Sequence, residues 1–263
     1  MVDSHRLAAR VPLTHEAEQH YRENGYVHFP GILSPAEVAE YRAAAEQLVR
    51  KEGPELWGPE DEVQVHYVAN AWRKHDLLKR LALHPVITGL ASALAEVPLR
   101  LYSSDILLKK PRRALPTLVH DDETGLPMSD ARRTLSAWIA LVDVPEERGC
   151  LSFMPGSHLR PDSACQGHMT SFAEFVNITE IWPDYAWRPW TTVPVRAGDV
   201  TFHHCRTVHR AGVNDTDEAR VGYGVVYMDA TATYLPGVQD QHLRHLRPGQ
   251  PLDGPDFPLI EAG

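Results

Sequence analysis

Apolar residues recur at helical spacing through the first third of the chain and at strand spacing after it. The clearest helical stretch is "LSPAEVAEYRAAAEQLVRKEG", where Val38, Tyr41, Ala45 and Leu48 fall on one face. Ser34 followed three residues on by Glu37 is a capping-box pattern, Pro35 takes the first helical position, and Leu33 is placed to staple to Val38. Gly53-Pro54 stops the run, so the pattern predicts a helix from Pro35 to about Glu52. A shorter helix capped by Thr14 is expected to end near Gly25, ahead of the extended "YVHFP". Residues 75–96 read as a further helical stretch, split at His84-Pro85.

From residue 98 the pattern changes. "LRLYSSDILLKK", "TLSAWIALVDV", "CLSFM", "GDVTFHH" and "RVGYGVVYMDA" are strand-like runs separated by Pro, Gly and Asp turns. Helices followed by strands, without βαβ alternation, predict a mainly β protein: an antiparallel sandwich of jelly-roll type with the N-terminal helices packed on one side. One domain is expected, with a helical part at about 1–97, a β core at about 98–230 and a C-terminal tail at 231–263. The less regular residues 161–195 contain "IWPDYAWRPW" and are long for a plain connection. They are expected to form a lid or substrate wall through Trp182, Tyr185, Trp187, Arg188 and Trp190, with Arg188 available to an acidic group. Aromatics packed over a sheet are the alternative.

Composition narrows the partner. With 263 residues, 43% of them hydrophobic and 23% charged, the chain is long enough to bury a substantial core. The excess of 35 acidic over 26 basic residues, a net charge of −9, argues against affinity for nucleic-acid phosphates or an anionic membrane surface and favours a small-molecule partner. The one local exception is "KKPRR" at 109–113, either an anion site or a solvated loop. No run of 18 apolar residues is present and the N-terminus lacks a signal-like stretch, so a cytoplasmic location is expected. Cys150, Cys165 and Cys205 fit no paired motif and read as reduced thiols.

The candidate chemistry begins at "TLVHDDETG", residues 117–125. In extended chain His120 and Asp122 share a face, and Asp121 points the other way. The triplet alone is compatible with a metal site, an acid/base pair or a solvated turn. A second group lies in "VHRAGVNDTDEARVGYG". A turn about Asn214-Asp215 would set His209 opposite Arg220 on neighbouring strands. Two neutral imidazoles and one carboxylate are the set used by non-haem Fe(II) oxygenases, and an arginine fork holds a carboxylate through two hydrogen bonds. Asp121 and Glu123 are then expected to meet solvent or backbone donors.

"HDD" at 120–122, "WIALVDVPEERGCLSFMPGSH" at 138–158, "GDVTFHH" at 198–204, "VHRAGVN" ahead of Arg220, and the opening "YRENGYVHFPGILSPAEVAEYR" together resemble the phytanoyl-CoA dioxygenase family of Fe(II)/2-oxoglutarate oxygenases. The resemblance implies a double-stranded β-helix, a cupin-like jelly roll, with His120, Asp122 and His209 as catalytic metal ligands. It implies Arg220 as anchor of the distal carboxylate of 2-oxoglutarate, and Thr134, Ser136, Trp138 and Lys110 near the cosubstrate. The cofactors implied are Fe(II), 2-oxoglutarate and O2. Oxidation of an unactivated C–H of a small metabolite or natural-product intermediate follows, with hydroxylation as the default outcome and desaturation, epimerisation, ring closure, demethylation or an acyl-CoA substrate as alternatives. Related halogenases carry a small residue where this chain has Asp122, so chlorination is not expected. Outside this chemistry, a jelly-roll binding module or a zinc hydrolase using Glu123 as base are the competing readings. His203 and His204 are expected to be structural, His158 to belong to a turn, and Asp199 to cap the turn before its strand.

Overall fold

The computed structural model describes residues 13–57, 63, 65–112, 114–129, 131–160, 178, 182–235, 243 and 245–260. Cys165 and most of the 161–181 segment lie outside the described residues.

The locally encoded helices form as their caps dictate. α1 (His15–Asn24) is capped by the Thr14 hydroxyl and ends at Gly25, whose φ of 80° is left-handed. α2 (Pro35–Glu52) has the complete Ser34/Glu37 capping box and buries Val38, Tyr41, Ala44, Ala45 and Leu48. α3 (Ala71–Lys74) is a single turn; α4 (Asp76–Ala82) and α5 (Pro85–Ala95) are separated at the expected His84-Pro85 break. Residues Asp76–Ala95 are long and apolar enough on average to cross a membrane, although Asp76, Lys79 and Arg80 interrupt them, so no unbroken apolar run is present there. Proline breaks the run, and Leu78, Leu81, Ile87, Leu90 and Leu94 are buried in the protein core.

The strands are β1 (Tyr26–Phe29), β2 (Glu55–Trp57), β3 (Val65–Val68), β4 (Leu99–Lys109), β5 (Leu135–Ala140), β6 (Leu151–Phe153), β7 (Thr191–Val193), β8 (Val200–His204), β9 (His209–Ala211) and β10 (Arg220–Asp229). They form two antiparallel sheets, a major one in the order β1-β8-β5-β10-β4-β3-β2 and a minor one in the order β7-β6-β9. This is the expected jelly-roll class. The N-terminal third is less purely helical than expected, because β1 pairs with β8 at one edge of the major sheet while β3 and β2 extend the other.

Alternation along the central strands divides the major sheet into two faces. Tyr223 and Tyr227 of β10 point to the helices and donate hydrogen bonds to the carbonyls of Leu78 (2.9 Å) and Ala82 (2.7 Å), pinning α4 to the sheet. Their neighbours Arg220, Gly222 and Gly224 face the opposite way, together with their register partners Lys109, Leu107, Ala140 and Trp138. Gly222 is required here: a Cβ would stand 2.3 Å from the Trp138 indole. This second face looks toward the minor sheet, where Phe153 of β6 stands opposite His209 of β9.

Candidate active site

His120 reaches the space between the sheets through an isolated bridge to His209, with His120 N donating to the His209 carbonyl at 3.0 Å and the reverse bond at 2.7 Å. Asp122 N and Glu123 N both donate to the Cys205 carbonyl, which turns the chain into a short 3-10 turn just after Asp122. The outcome is convergence: one ligand atom from each of His120, Asp122 and His209 lies within 4.8 Å of the others. Among the described residues this is the group of three such side chains able to hold a metal ion.

Hydrogen bonding fixes which ring nitrogens face inward. His120 Nδ1 donates to the Leu118 carbonyl at 2.7 Å and His209 Nδ1 to the Thr207 carbonyl at 2.9 Å, so both Nε2 atoms carry lone pairs. Burial pushes the protonation of both imidazoles below its ordinary range, against the opposing pull of Asp122. Burial acts to raise Asp122, yet the hydrogen bond from His203 and the surrounding imidazoles outweigh it and hold the carboxyl well below the usual carboxylate range. At neutral pH the group is therefore two neutral imidazoles and one carboxylate. That donor set suits a divalent first-row metal with open positions.

The anion side of the pocket differs from the sequence expectation in two ways. His209 and Arg220 do not face each other across a ladder. The chain does turn at Asn214, whose side-chain amide donates to the Lys109 and Glu218 carbonyls, but β9 continues into the minor sheet and β10 into the major one. Arg220 is instead paired in register with Lys109, and the cation turned inward is Lys109; Lys110, one residue on, is exposed. Strand alternation is the reason. Arg220 is 1% exposed, lies over the Trp138 ring at 5.4 Å and donates to the Gly149 carbonyl at 2.9 Å. Burial pushes Lys109 down to about 6, with the Arg220 charge beside it acting in the same direction. A guanidinium and an amine depleted of its proton thus stand side by side, and among the described residues the Arg220 Nε has no hydrogen-bond partner.

Other expected residues are redistributed. Ser136 Oγ donates to Asp122 Oδ2 at 2.5 Å, so this hydroxyl is engaged with the carboxylate. Thr134 is fully buried against the Met128 sulfur at 3.7 Å. His203 is not merely structural, since its Nε2 lies 3.1 Å from Asp122 Oδ2, whereas His204 bonds the Arg132 carbonyl. His158 sits in a 3-10 turn and meets the Arg22 carbonyl. Asp199 accepts from the Arg196 and Gly31 amides and from His28, serving the turn before β8 as expected.

The described part of the aromatic segment has an apolar cluster of its own. Trp182, Trp187 and Trp190 pack with Val119, Met154, Ile178 and Val208. Val119 and Val208 immediately precede His120 and His209, so by alternation they point away from the two imidazoles. Trp190 likewise lies against the Arg210 guanidinium, 4.6 Å away, and Arg188 is exposed beside Gly156. Trp57, which sequence reasoning missed, sets its ring 5.3 Å from that of His120.

Asp121 and Glu123 depart furthest from expectation. Both are 1% exposed. Asp121 Oδ1 accepts from the Thr124 backbone amide at 2.9 Å, the kind of donor expected, but in place of solvent the two carboxylates meet two arginines: Arg160 bonds Asp121 and stands 3.5 Å from Glu123, and Arg206 Nε stands 3.1 Å from Glu123. Burial raises Glu123 to about 6 despite the arginines. The alternation that turns them away from the metal ligands is real, but the far side is also interior. Arg160→Ala is expected to lower stability by about 3–5 kcal/mol, because it strands buried carboxylates. Urea unfolding checks this, and a loss below about 1 kcal/mol would mean that water reaches the cluster.

The chain matches the family model for phytanoyl-CoA dioxygenase (PhyH) over residues 21–222. It is 31% identical over 188 residues to phytanoyl-CoA dioxygenase domain-containing protein 1 of Mus musculus, covering 67% of this chain but 62%, less than two thirds, of that relative. L-proline trans-4-hydroxylase of Streptomyces griseoviridis is 26% identical, with 94% of this chain and 98% of the relative covered. Among solved structures, the non-haem alpha-ketoglutarate-dependent carbocyclase SnoK from nogalamycin biosynthesis is 60% identical with a TM-score of 0.89, covering 95% of this chain and 97% of its own. The epimerase SnoN, crystallised with Fe3+, alpha-ketoglutarate and nogalamycin RO, is 45% identical with a TM-score of 0.81, covering 94% and 98%.

Proposed function

From the premise that this chain belongs to the phytanoyl-CoA dioxygenase family, we propose that it is an Fe(II)- and 2-oxoglutarate-dependent oxygenase acting on a small natural-product intermediate. The observation that carries this reading is the pairing of the His120/Asp122/His209 donor set with two buried basic side chains, Arg220 and Lys109, that are register partners on neighbouring strands. His120 and His209 would hold iron through Nε2, and Asp122 through a carboxylate oxygen. When bound, iron with 2-oxoglutarate and O2 supplies an oxidant able to attack an unactivated C–H bond. Arg220 and Lys109 would neutralise the distal carboxylate of the cosubstrate, Trp138 gives that end an apolar wall, and the packed sheets exclude water. Glu123 is turned into the arginine cluster and is not one of the side chains converging on the three ligands, which disfavours a zinc hydrolase using it as base.

The outcome favoured by similarity is intramolecular ring closure, since identity to the carbocyclase is 60% against 45% for the epimerase and 26% for the L-proline hydroxylase. In ring closure the substrate loses two hydrogens while 2-oxoglutarate and O2 give succinate, CO2 and water. Mass spectrometry of the product of a nogalamycin-pathway intermediate distinguishes the cases: loss of two hydrogens for ring closure, gain of one oxygen for hydroxylation, unchanged mass for epimerisation. Absence of succinate with every substrate, Fe(II) and O2 supplied, would overturn the oxygenase reading itself.

Lys109 gives this reading a pH signature. Its folded-state value of about 6 leaves it neutral at higher pH in the free site, and a carboxylate placed against it restores the ammonium form. Cosubstrate binding above that pH is therefore expected to take up a proton, and affinity to fall as pH rises. Calorimetric titration with 2-oxoglutarate at pH 8 in two buffers of different ionisation heat measures the uptake, and none is expected in Lys109→Met.

A further inference from the structure

Asp122 is held from two sides through a single oxygen. Its Oδ2 accepts hydrogen bonds from Ser136 Oγ at 2.5 Å and from His203 Nε2 at 3.1 Å. Its Oδ1 lies toward His209, 3.8 Å from Nε2. The two donors come from adjacent strands, since Ser136 of β5 and His203 of β8 are register partners and must share a face. The His203 ring is 4% exposed and wedged between Phe153 and His209, with ring centroids 5.5 and 4.4 Å away. Among the described residues its Nδ1 has no hydrogen-bond partner, so the Asp122 contact is the polar contact that orients the ring.

We propose that His203 is a positioning residue for the metal centre: with Ser136 it occupies Asp122 Oδ2, so that the carboxylate meets the metal through Oδ1 alone. A carboxylate with one oxygen tied to two donors has only the other to give, whereas an untied one can chelate through both. The consequence is an additional open coordination position. The tertiary structure is what brings His203 to this task, because neither its spacing from His209 nor its place in "GDVTFHH" separates it from His204. The proposal rests on the reading of His120, Asp122 and His209 as ligands.

Co(II), whose visible absorption weakens as coordination number rises, is the probe. Calorimetry and absorption of the unaltered protein and of Asp122→Ala test the ligand reading: one Co(II) bound, and binding lost in the variant. If the unaltered protein binds no Co(II), that reading falls and the proposal with it. If it binds, His203→Phe, which keeps a ring in the packed space, is expected to weaken Co(II) binding about 10- to 100-fold, the range for lost outer-sphere partners. Its absorption should be less intense, as Asp122 swings to bind through both oxygens. His203→Gln, whose amide can donate to Oδ2, should recover most of the affinity and intensity. Unchanged affinity and spectrum in a folded His203→Phe protein would overturn the proposal while leaving the ligand reading intact. Binding lost as completely as in Asp122→Ala, without recovery in His203→Gln, would make His203 a ligand and also overturn it. His203→Leu serves if the phenylalanine variant does not fold.

Discussion

Asp122→Ala is expected to abolish succinate formation and to weaken metal binding by more than about a hundredfold, because outer-sphere partners of a metal ligand already contribute about 10- to 100-fold. Three physical effects combine. The metal loses a donor atom, the site loses its negative charge between two buried imidazoles, and the hydrogen bonds from Ser136 and His203 lose their acceptor. The protein should still fold, since Asp122 belongs to the pocket and the apolar core is built from the sheets and helices. Circular dichroism with metal titration checks both halves. Full turnover in this variant would place the metal elsewhere.

Arg220→Ala is expected to raise the requirement for 2-oxoglutarate by about 30-fold to several thousandfold, corresponding to about 2–5 kcal/mol for a desolvated charge pair, while the requirement for Fe(II) changes little. The guanidinium is fully enclosed, so a carboxylate held against it would have no water to replace it. Lys109 lies in register beside it and limits the loss. Lys109→Met is therefore expected to have the same sign and a smaller size. Lys110→Met, on the exposed side, should leave the cosubstrate dependence unchanged. Titration of succinate formation against each ligand separates these effects, and equal sensitivity to Fe(II) and 2-oxoglutarate would move the anchor away from Arg220.

Local chemistry made much of this architecture legible before any coordinates. The Thr14 cap, the Ser34/Glu37 box, the Gly25 and Gly53 stops and the His84-Pro85 break each act within a few residues, so the helices follow from neighbouring side chains alone. The long strands β4, β5, β8 and β10 carry enough apolar surface to announce themselves. β2, β7 and β9 are three residues long, and only their partners make them strands.

The site divides in the same way. Alternation in "HDD" puts His120 and Asp122 on one face and Asp121 on the other, because successive side chains in extended backbone must diverge. Whether the other face meets water is not a local property: it depends on Arg160 and Arg206 arriving from distant parts of the chain, and they make it a buried ion cluster. The same limit governed Lys109 against Lys110. Sequence pattern determines which side chains share a face; which face is turned inward is decided by the pairing of β10 with β4 and of β9 with β6, long-range contacts whose selection depends on the packing of the whole chain.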